Sequence, residues 1–216
     1  NIAALNNISR AEQDDLGVLS HQRARAAIQG GLFADEIVPV VIKDRKGEVV
    51  VATDERPMET TLEKMAKLRP AFKPDGTVTA GNASGINDGA AAVLIMSAEK
   101  AKALGLTPFL KVKAFASGAL DPAYMGLGPV PAVRKALKAA GMGLSDIDMI
   151  ELNEAFASQA IGCMRELGLK NDRPNELGSG ISLGHPIGAT GARQMVTAMH
   201  HMRRKGYRTG LITMCI

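Results

Sequence analysis

The stretch Asp148-Met149-Ile150-Glu151-Leu152-Asn153-Glu154-Ala155-Phe156 decides how this chain is read. Residues 148–152 read as a short strand, and residues 154–167 read as a helix closed by Gly168. A strand that passes directly into a helix is the building unit of α/β folds. In open sheets of that class, ligands bind beyond the carboxyl ends of the strands. Asn153, at the point of transfer, therefore stands where a functional side chain would stand. Asn is also a good helix N-cap, and that reading stays open beside the functional one.

Outward from this unit the alternation continues. Residues 190–205 read as a helix closed by Gly206, with Met195, Ala198, Met199 and Met202 on one face, and residues 211–216 read as a last strand. Toward the N-terminus, residues 129–140 form a helix with Pro129 at its start and Gly141 after its end. Residues 109–116 alternate like a strand, and Ser97 caps a short helix that reaches Gly105. The continuous apolar run 90–96 is the pattern of a strand buried on both faces. Ser9-Arg10-Ala11-Glu12 is a capping box that opens a long helix ended by Gly30-Gly31. Residues 36–43 and 48–52 pair as a hairpin around Asp44-Arg45-Lys46-Gly47, with Pro39 marking an edge or a bulge. Residues 53–76, with Pro57, Pro70 and Pro74, form a long irregular segment of the kind that is functional or flexible. The class is α/β.

The composition narrows the function. The chain has 216 residues, 46% apolar and 22% charged, enough for one large domain or two small ones with a sizeable core. Lys and Arg number 26 against 22 Asp and Glu, a net charge of +4. One basic cluster stands out, Arg203, Arg204, Lys205 and Arg208. With no Trp, two Tyr and five Phe there is no stacking platform, so nucleic-acid binding is a poor expectation. The two cysteines, Cys163 and Cys215, exclude a disulfide scaffold and read as reduced thiols of an intracellular protein, with the cytoplasm as the default location. His185, His200, His201 and the cysteines lack the spacing of metal ligands, so no metal is expected. No stretch is long and apolar enough for a membrane-spanning helix, no membrane partner is expected, and no signal peptide is visible. Asn1 lies in the approach to a helix and Ile216 lies inside an apolar run, so both ends are expected to fall within a longer chain.

Two further places hold candidate chemistry. The glycine-rich stretch Gly178-Ser179-Gly180-Ile181-Ser182-Leu183-Gly184-His185-Pro186-Ile187-Gly188-Ala189-Thr190-Gly191 is a tight loop that lets backbone approach a ligand closely. His185, between Gly184 and Pro186, has its ring held by a constrained backbone. The alternatives are a turn with an incidental histidine, or a phosphate cradle, although the spacing is neither a Walker loop nor a dinucleotide fingerprint. Cys215 ends the last strand. It is either a core thiol or a proton-shuttling thiol brought toward neutral pKa by its neighbours. Cys163, inside a helix, reads as packing.

Together these segments resemble the thiolase family, the acetyl-CoA acetyltransferases and 3-ketoacyl-CoA thiolases. Asn153-Glu154-Ala155-Phe156 is similar to the family's NEAF motif, Gly184-His185-Pro186-Ile187-Gly188-Ala189-Thr190-Gly191 to its GHPxGxxG motif, and Cys215-Ile216 to the start of its final CxGxG motif. Gly81-Asn82-Ala83-Ser84-Gly85-Ile86-Asn87-Asp88-Gly89-Ala90-Ala91, preceded by Lys67-Leu68-Arg69-Pro70-Ala71-Phe72, matches another family signature, and Met125-Gly126-Leu127-Gly128-Pro129-Val130-Pro131 also fits. The resemblance covers essentially the whole chain.

The resemblance implies a layered α/β/α/β/α thiolase fold, incomplete here. Residues 1–86 would be the later part of the loop domain that contacts coenzyme A. Residues 87–105 would end the N-terminal half, and residues 106–216 would be a C-terminal half lacking its last strand. It implies an acyl-CoA C-acyltransferase that runs reversible Claisen condensation and CoA-dependent thiolysis, with acetoacetyl-CoA as the expected substrate. Cys215 would be the acid/base at the α-carbon, and His185 would activate a nucleophilic cysteine and donate to the thioester oxygen. Asn153 would position a water in the same oxyanion hole. Ser84, Ala80, Ala83 and Ile86 would line the pantetheine, Met125 and Phe156 the pocket, and Arg56 would meet the CoA nucleotide. Nothing in the chain matches the family's nucleophilic cysteine segment, so the chain alone is expected to be inactive. An inactive CoA-thioester-binding fragment, or a non-catalytic thiolase-like protein, is the alternative. Coenzyme A and acyl-CoA enter as substrates, with no permanently bound cofactor, and the intact protein would be a homodimer or homotetramer.

Overall fold

The computed structural model describes residues 1–216. After a single turn, α1 (Ile2–Leu5), the Ser9 side chain opens α2 (Arg10–Gln29). Ser9 Oγ accepts from the Glu12 N–H at 3.2 Å, and the Glu12 carboxylate accepts from the Ser9 N–H at 2.8 Å. This capping box stabilises the helix by about 1 kcal/mol. The hairpin follows as β1 (Val40–Asp44) and β2 (Gly47–Val51), antiparallel, with Val40 opposite Val51. It starts later than residue 36, immediately after Pro39, which has no N–H to donate to a ladder. In the irregular segment beyond it, α3 (Leu62–Ala66) packs the buried Met65 onto α2 at Gly17.

Two strands read from the sequence do not form. Residues 90–96 and 109–116 make no strand pairing, and Leu94, Ile95 and Phe115 are 83%, 76% and 91% exposed. An apolar run states that a segment wants burial, but a strand also needs a neighbour to take its N–H and C=O groups. Within this chain no strand hydrogen-bonds to either segment. Between them, α4 (Ala98–Ala103) is capped by Ser97 as its sequence indicates.

A 3-10 turn at Pro122–Leu127 leads into α5 (Pro129–Ala140), which closes on Gly141 in the left-handed conformation, φ 65°. The remaining elements are β3 (Met149–Leu152), α6 (Ala157–Leu167), α7 (Gly180–Leu183), α8 (Thr190–Lys205) and β4 (Gly210–Thr213). β3 and β4 pair in parallel from Met149 opposite Gly210 to Leu152 opposite Thr213. The last strand is thus shorter than read, and Cys215 lies just beyond it. α6 begins at Ala157, three residues later than the sequence suggested. The single turn α7, inside the glycine-rich stretch, was not anticipated.

All four residues of β3 are buried. Ile150 and Leu152 pack with Ala157, Ala160, Ile161 and Met164 of α6 and with Leu127 and Val130. Met149 packs with Ala198 and Met202 of α8. A helical layer on each face explains why the strand is not an alternating one. Successive side chains of a strand point to opposite faces, which puts the Glu151 carboxyl, 1% exposed, on the α8 side of the sheet with Met149. No helix of the chain is long and apolar enough to cross a membrane.

Candidate active site

The carboxyl ends of β3 and β4 lie side by side, tied by the Asn153 N–H donating to the Thr213 carbonyl at 3.0 Å. Asn153 is not a helix cap; Phe156 occupies that position for α6. Its amide is fully buried, with Nδ2 3.3 Å from Nε2 of His185. The other ring nitrogen, Nδ1, is 2.7 Å from the Thr190 hydroxyl, in the first turn of α8.

The tautomer follows from this network. Thr190 Oγ1 gives its only proton to the Pro186 carbonyl at 2.9 Å. It therefore accepts from His185, so Nδ1 carries the hydrogen and Nε2 presents a lone pair, which accepts from Asn153. Burial holds the His185 pKa below the usual histidine range, and the positive charge of Arg193 adds to the effect. The imidazole is thus a neutral base with its free nitrogen facing Asn153.

Gly184 makes the loop possible. Its φ is 90°, and a Cβ there would stand 2.5 Å from Oδ1 of Asn87.

The 81–91 signature is strapped to both sides of the site. The Ala157 N–H donates to the Asn82 carbonyl at 2.8 Å and the Ser84 N–H to the Ala155 carbonyl at 2.9 Å. The His185 N–H donates to the Gly85 carbonyl at 3.1 Å. Ala83 bridges to Phe156. Ser84 and Ala83 are therefore half-buried beside the site, while Ala80 is exposed and Ile86 is 97% exposed, projecting its side chain into solvent. Phe156 meets Phe72 edge-on at 6.4 Å. Met125 is exposed on the 3-10 turn. Arg56 spends its guanidinium on backbone: Nε donates to the Ile181 carbonyl at 2.9 Å and a terminal nitrogen to that of Ala83 at 3.4 Å.

Cys215 sits half-buried at the same sheet edge as Asn153. Burial pushes its thiol pKa up, opposite to the neutral-shifted thiol that the shuttling reading called for. No cation lies close enough to offset the desolvation, so the group is held as a protonated acid. Cys163 is a packing residue: it is fully buried, donates to the Gly126 carbonyl at 3.2 Å, and has its thiol pushed up to about 12.

Several residues that sequence reasoning passed over also surround the site. Thr190 reads in the sequence as a helix start within the glycine-rich motif, with no sign that its hydroxyl meets His185. Glu151 is raised to about 7, chiefly by burial, with Arg193 acting against the shift. Glu36, which accepts from Thr197 at 3.0 Å, is raised to about 7 for the same reason. Asn175 gave one available signal. An Asn before a glycine-rich stretch is a candidate for positive φ, and its φ is 61°.

The chain matches the family models for the thiolase N-terminal domain over residues 1–99 and the thiolase C-terminal domain over residues 106–216. It is 55% identical over 218 residues to the acetyl-CoA acetyltransferase of Syntrophomonas wolfei, covering 100% of this chain and 55% of that protein. To the beta-ketoadipyl-CoA thiolase of Pseudomonas putida it is 54% identical over 220 residues, again covering 100% of this chain and 55% of the relative. The crystal structure of the Bacillus anthracis acetyl-CoA acetyltransferase superposes with a TM-score of 0.97 at 46% identity, and that of human mitochondrial 3-ketoacyl-CoA thiolase with 0.93 at 39%. Each superposition covers 100% of this chain and 55% of the other. The chain therefore spans about half the length of the curated relatives it matches. Its fold is the thiolase fold, and the chain belongs to the thiolase family.

Proposed function

We propose that this chain carries the acid/base and oxyanion-binding groups of an acyl-CoA C-acyltransferase acting on acetoacetyl-CoA. The observation that carries the reading is the Asn153–His185 contact. A neutral imidazole, its unprotonated Nε2 accepting from Asn153, is locked by Thr190 at the carboxyl ends of two parallel strands, with a thiol at the same edge. In thiolysis a thiolate attacks the 3-keto carbon and the bond between C2 and C3 breaks. The electron pair leaves as the acetyl-CoA enolate. His185 takes the proton that frees the attacking thiolate, and as an imidazolium it then donates to the thioester oxygen where charge develops. Asn153 holds a water toward the same oxygen. The enolate carbon takes its proton from Cys215, a role that suits a thiol kept protonated. The Cys215 thiolate then takes the proton of the coenzyme A thiol, whose sulfur attacks the acyl group; the first thiolate leaves and recovers its proton from His185. Ser84 and Ala83 lie along the pantetheine, with Ala80, Ile86, Met125, Phe156 and Arg56 around the ligand. The protein acts as a cytoplasmic homodimer or homotetramer.

One observation favours a second reading, a CoA-thioester binder without turnover. Neither cysteine of this chain is poised as a thiolate, with Cys163 at about 12 and Cys215 raised by burial. Thiolysis of acetoacetyl-CoA, followed as loss of its enolate absorbance on adding CoA, separates the two. Turnover that Cys215→Ala abolishes supports the enzyme. Acetoacetyl-CoA binding without turnover, in protein of verified mass, supports the binder.

A further inference from the structure

A knot of buried hydrogen bonds joins the two arms of the site from behind. Glu154, next to Asn153, is 1% exposed and points away from the site. Its Oε2 accepts from the Ser20 hydroxyl of α2 at 2.6 Å, and its Oε1 accepts from Nδ2 of Asn175 at 3.1 Å. Asn175 pairs with the residue on the other side of Asn153. Its Oδ1 accepts from the Leu152 N–H at 2.9 Å, and its Nδ2 donates to the Leu152 carbonyl at 2.7 Å. Its side chain thus stands in for a neighbouring strand at the end of β3, and Asn153 is bracketed at both neighbours by one residue. Ser20 Oγ lies 2.8 Å from Ser182 Oγ in α7, two residues before Gly184 and three before His185. At the N-terminus of α7 the packing is as tight. A Cβ at Gly180 would stand 2.8 Å from both the Asn153 Oδ1 and the Glu154 carbonyl.

We propose that Glu154 is a positioning residue, whose carboxylate, gripped by Ser20 and Asn175, holds the Asn153 amide in line with His185. Glu154 touches neither His185 nor the space in front of it; it acts through the backbone of Asn153 and, by way of Ser20 and Ser182, through the segment that carries His185. A buried carboxylate is costly unless its oxygens are hydrogen-bonded, and here both oxygens are. The charged groups that bear on Glu154 are Arg23 and Glu151. The inference rests on the acyltransferase reading for its consequence in turnover, but not for its geometry.

The test uses two readouts on the same protein. The first is NMR: the side-chain amide signals of Asn153 and the titration of the His185 ring. The second is acetoacetyl-CoA thiolysis by the intact protein, which supplies the attacking thiolate. The Asn153 amide donates to the lone pair of neutral His185, which lowers the ring's pKa; losing that bond raises it. Removing the Glu154 charge alone would act the other way and lower it. In Glu154→Gln and in Ser20→Ala, which removes no charge, the expected result is an upward move of the His185 midpoint with a changed Asn153 amide environment. Ser20→Thr, which keeps the hydroxyl, should restore both. In thiolysis kcat should fall about 10- to 100-fold with KM little changed. No turnover in the wild type would defeat the acyltransferase reading and leave the NMR result standing. An unchanged or lowered midpoint in folded Glu154→Gln and Ser20→Ala would overturn the positioning role. Ser182→Ala, the mildest change, covers the case where the others do not fold. Unfolding of all three would assign the knot to stability alone and overturn the proposal as well.

Discussion

Asn153 and His185, 32 residues apart in sequence, meet at 3.3 Å because two parallel strand ends and the first turn of α8 converge on one point. The contact has a direction: the amide donates and the imidazole accepts. This sets the first prediction. Asn153→Asp keeps the shape, replaces the donor with a carboxylate and puts negative charge beside the ring. The His185 pKa should rise, so in a thiolysis pH profile the acid limb should move to higher pH. The maximal rate should drop about 10²-fold, the usual effect of one oxyanion-hole donor.

Thr190 fixes the tautomer. Thr190→Val removes the acceptor for Nδ1–H while keeping the volume, and Thr190→Ser keeps it. The valine variant should lose about 10-fold or more in kcat, and the serine variant should stay close to wild type. Equal rates for the two would show that the 2.7 Å contact does not orient the ring.

Two buried groups make stability depend on pH in opposite directions over nearly the same window, so each is read from its own variant. Glu151 has a folded pKa near 7 against an ordinary 4.5, so its contribution is fully present below about 4.5 and is lost as pH rises through about 7. His21 is 2% exposed, accepts from the Met58 N–H at 3.3 Å, and is lowered to about 4 from an ordinary 6.5. Its contribution is present above about 6.5 and is lost as pH falls through about 4. Each amounts to about 3 kcal/mol at full expression. Glu151→Gln should therefore raise Tm at pH 8 relative to wild type by more than it does at pH 5. Denaturation scans at the two pH values check this.

Gly184→Ala should damage the site and the fold together. A residue with φ of 90° and its Cβ 2.5 Å from Asn87 Oδ1 is strained twice. The expected cost is about 1–3 kcal/mol, seen as a lower Tm, with the His185 ring signals broadened or shifted.

Much of this was legible in the sequence for identifiable reasons. The capping box of α2, the helix ends at Gly141, Gly168 and Gly206, and the strand at Met149–Leu152 are each encoded locally, in residues a few positions apart. The motifs that hold Asn153 and His185 were equally plain. The strands at 90–96 and 109–116 failed because apolar content records a need for burial and carries no record of the partner. The upward shift of the Cys215 thiol has no local signal, because it comes from burial, which the fold sets. The contacts of Ser20 were invisible in the sequence, and Asn175 signalled its positive φ but not its partners. Ser20 lies 134 residues from Glu154 and 162 from Ser182, and a serine on a helix has no local signal of such contacts.

The central claim is that Asn153 and His185 form one acyl-transfer site. A double-mutant cycle tests it most directly: acetoacetyl-CoA thiolysis by the intact protein, which supplies the attacking thiolate, measured for the wild type, Asn153→Ala, His185→Ala and the double variant. Residues that act as a unit are strongly non-additive. The account predicts that the double variant is about as slow as the worse single variant. Wild-type rates in both single variants, or losses that multiply in the double, would contradict it.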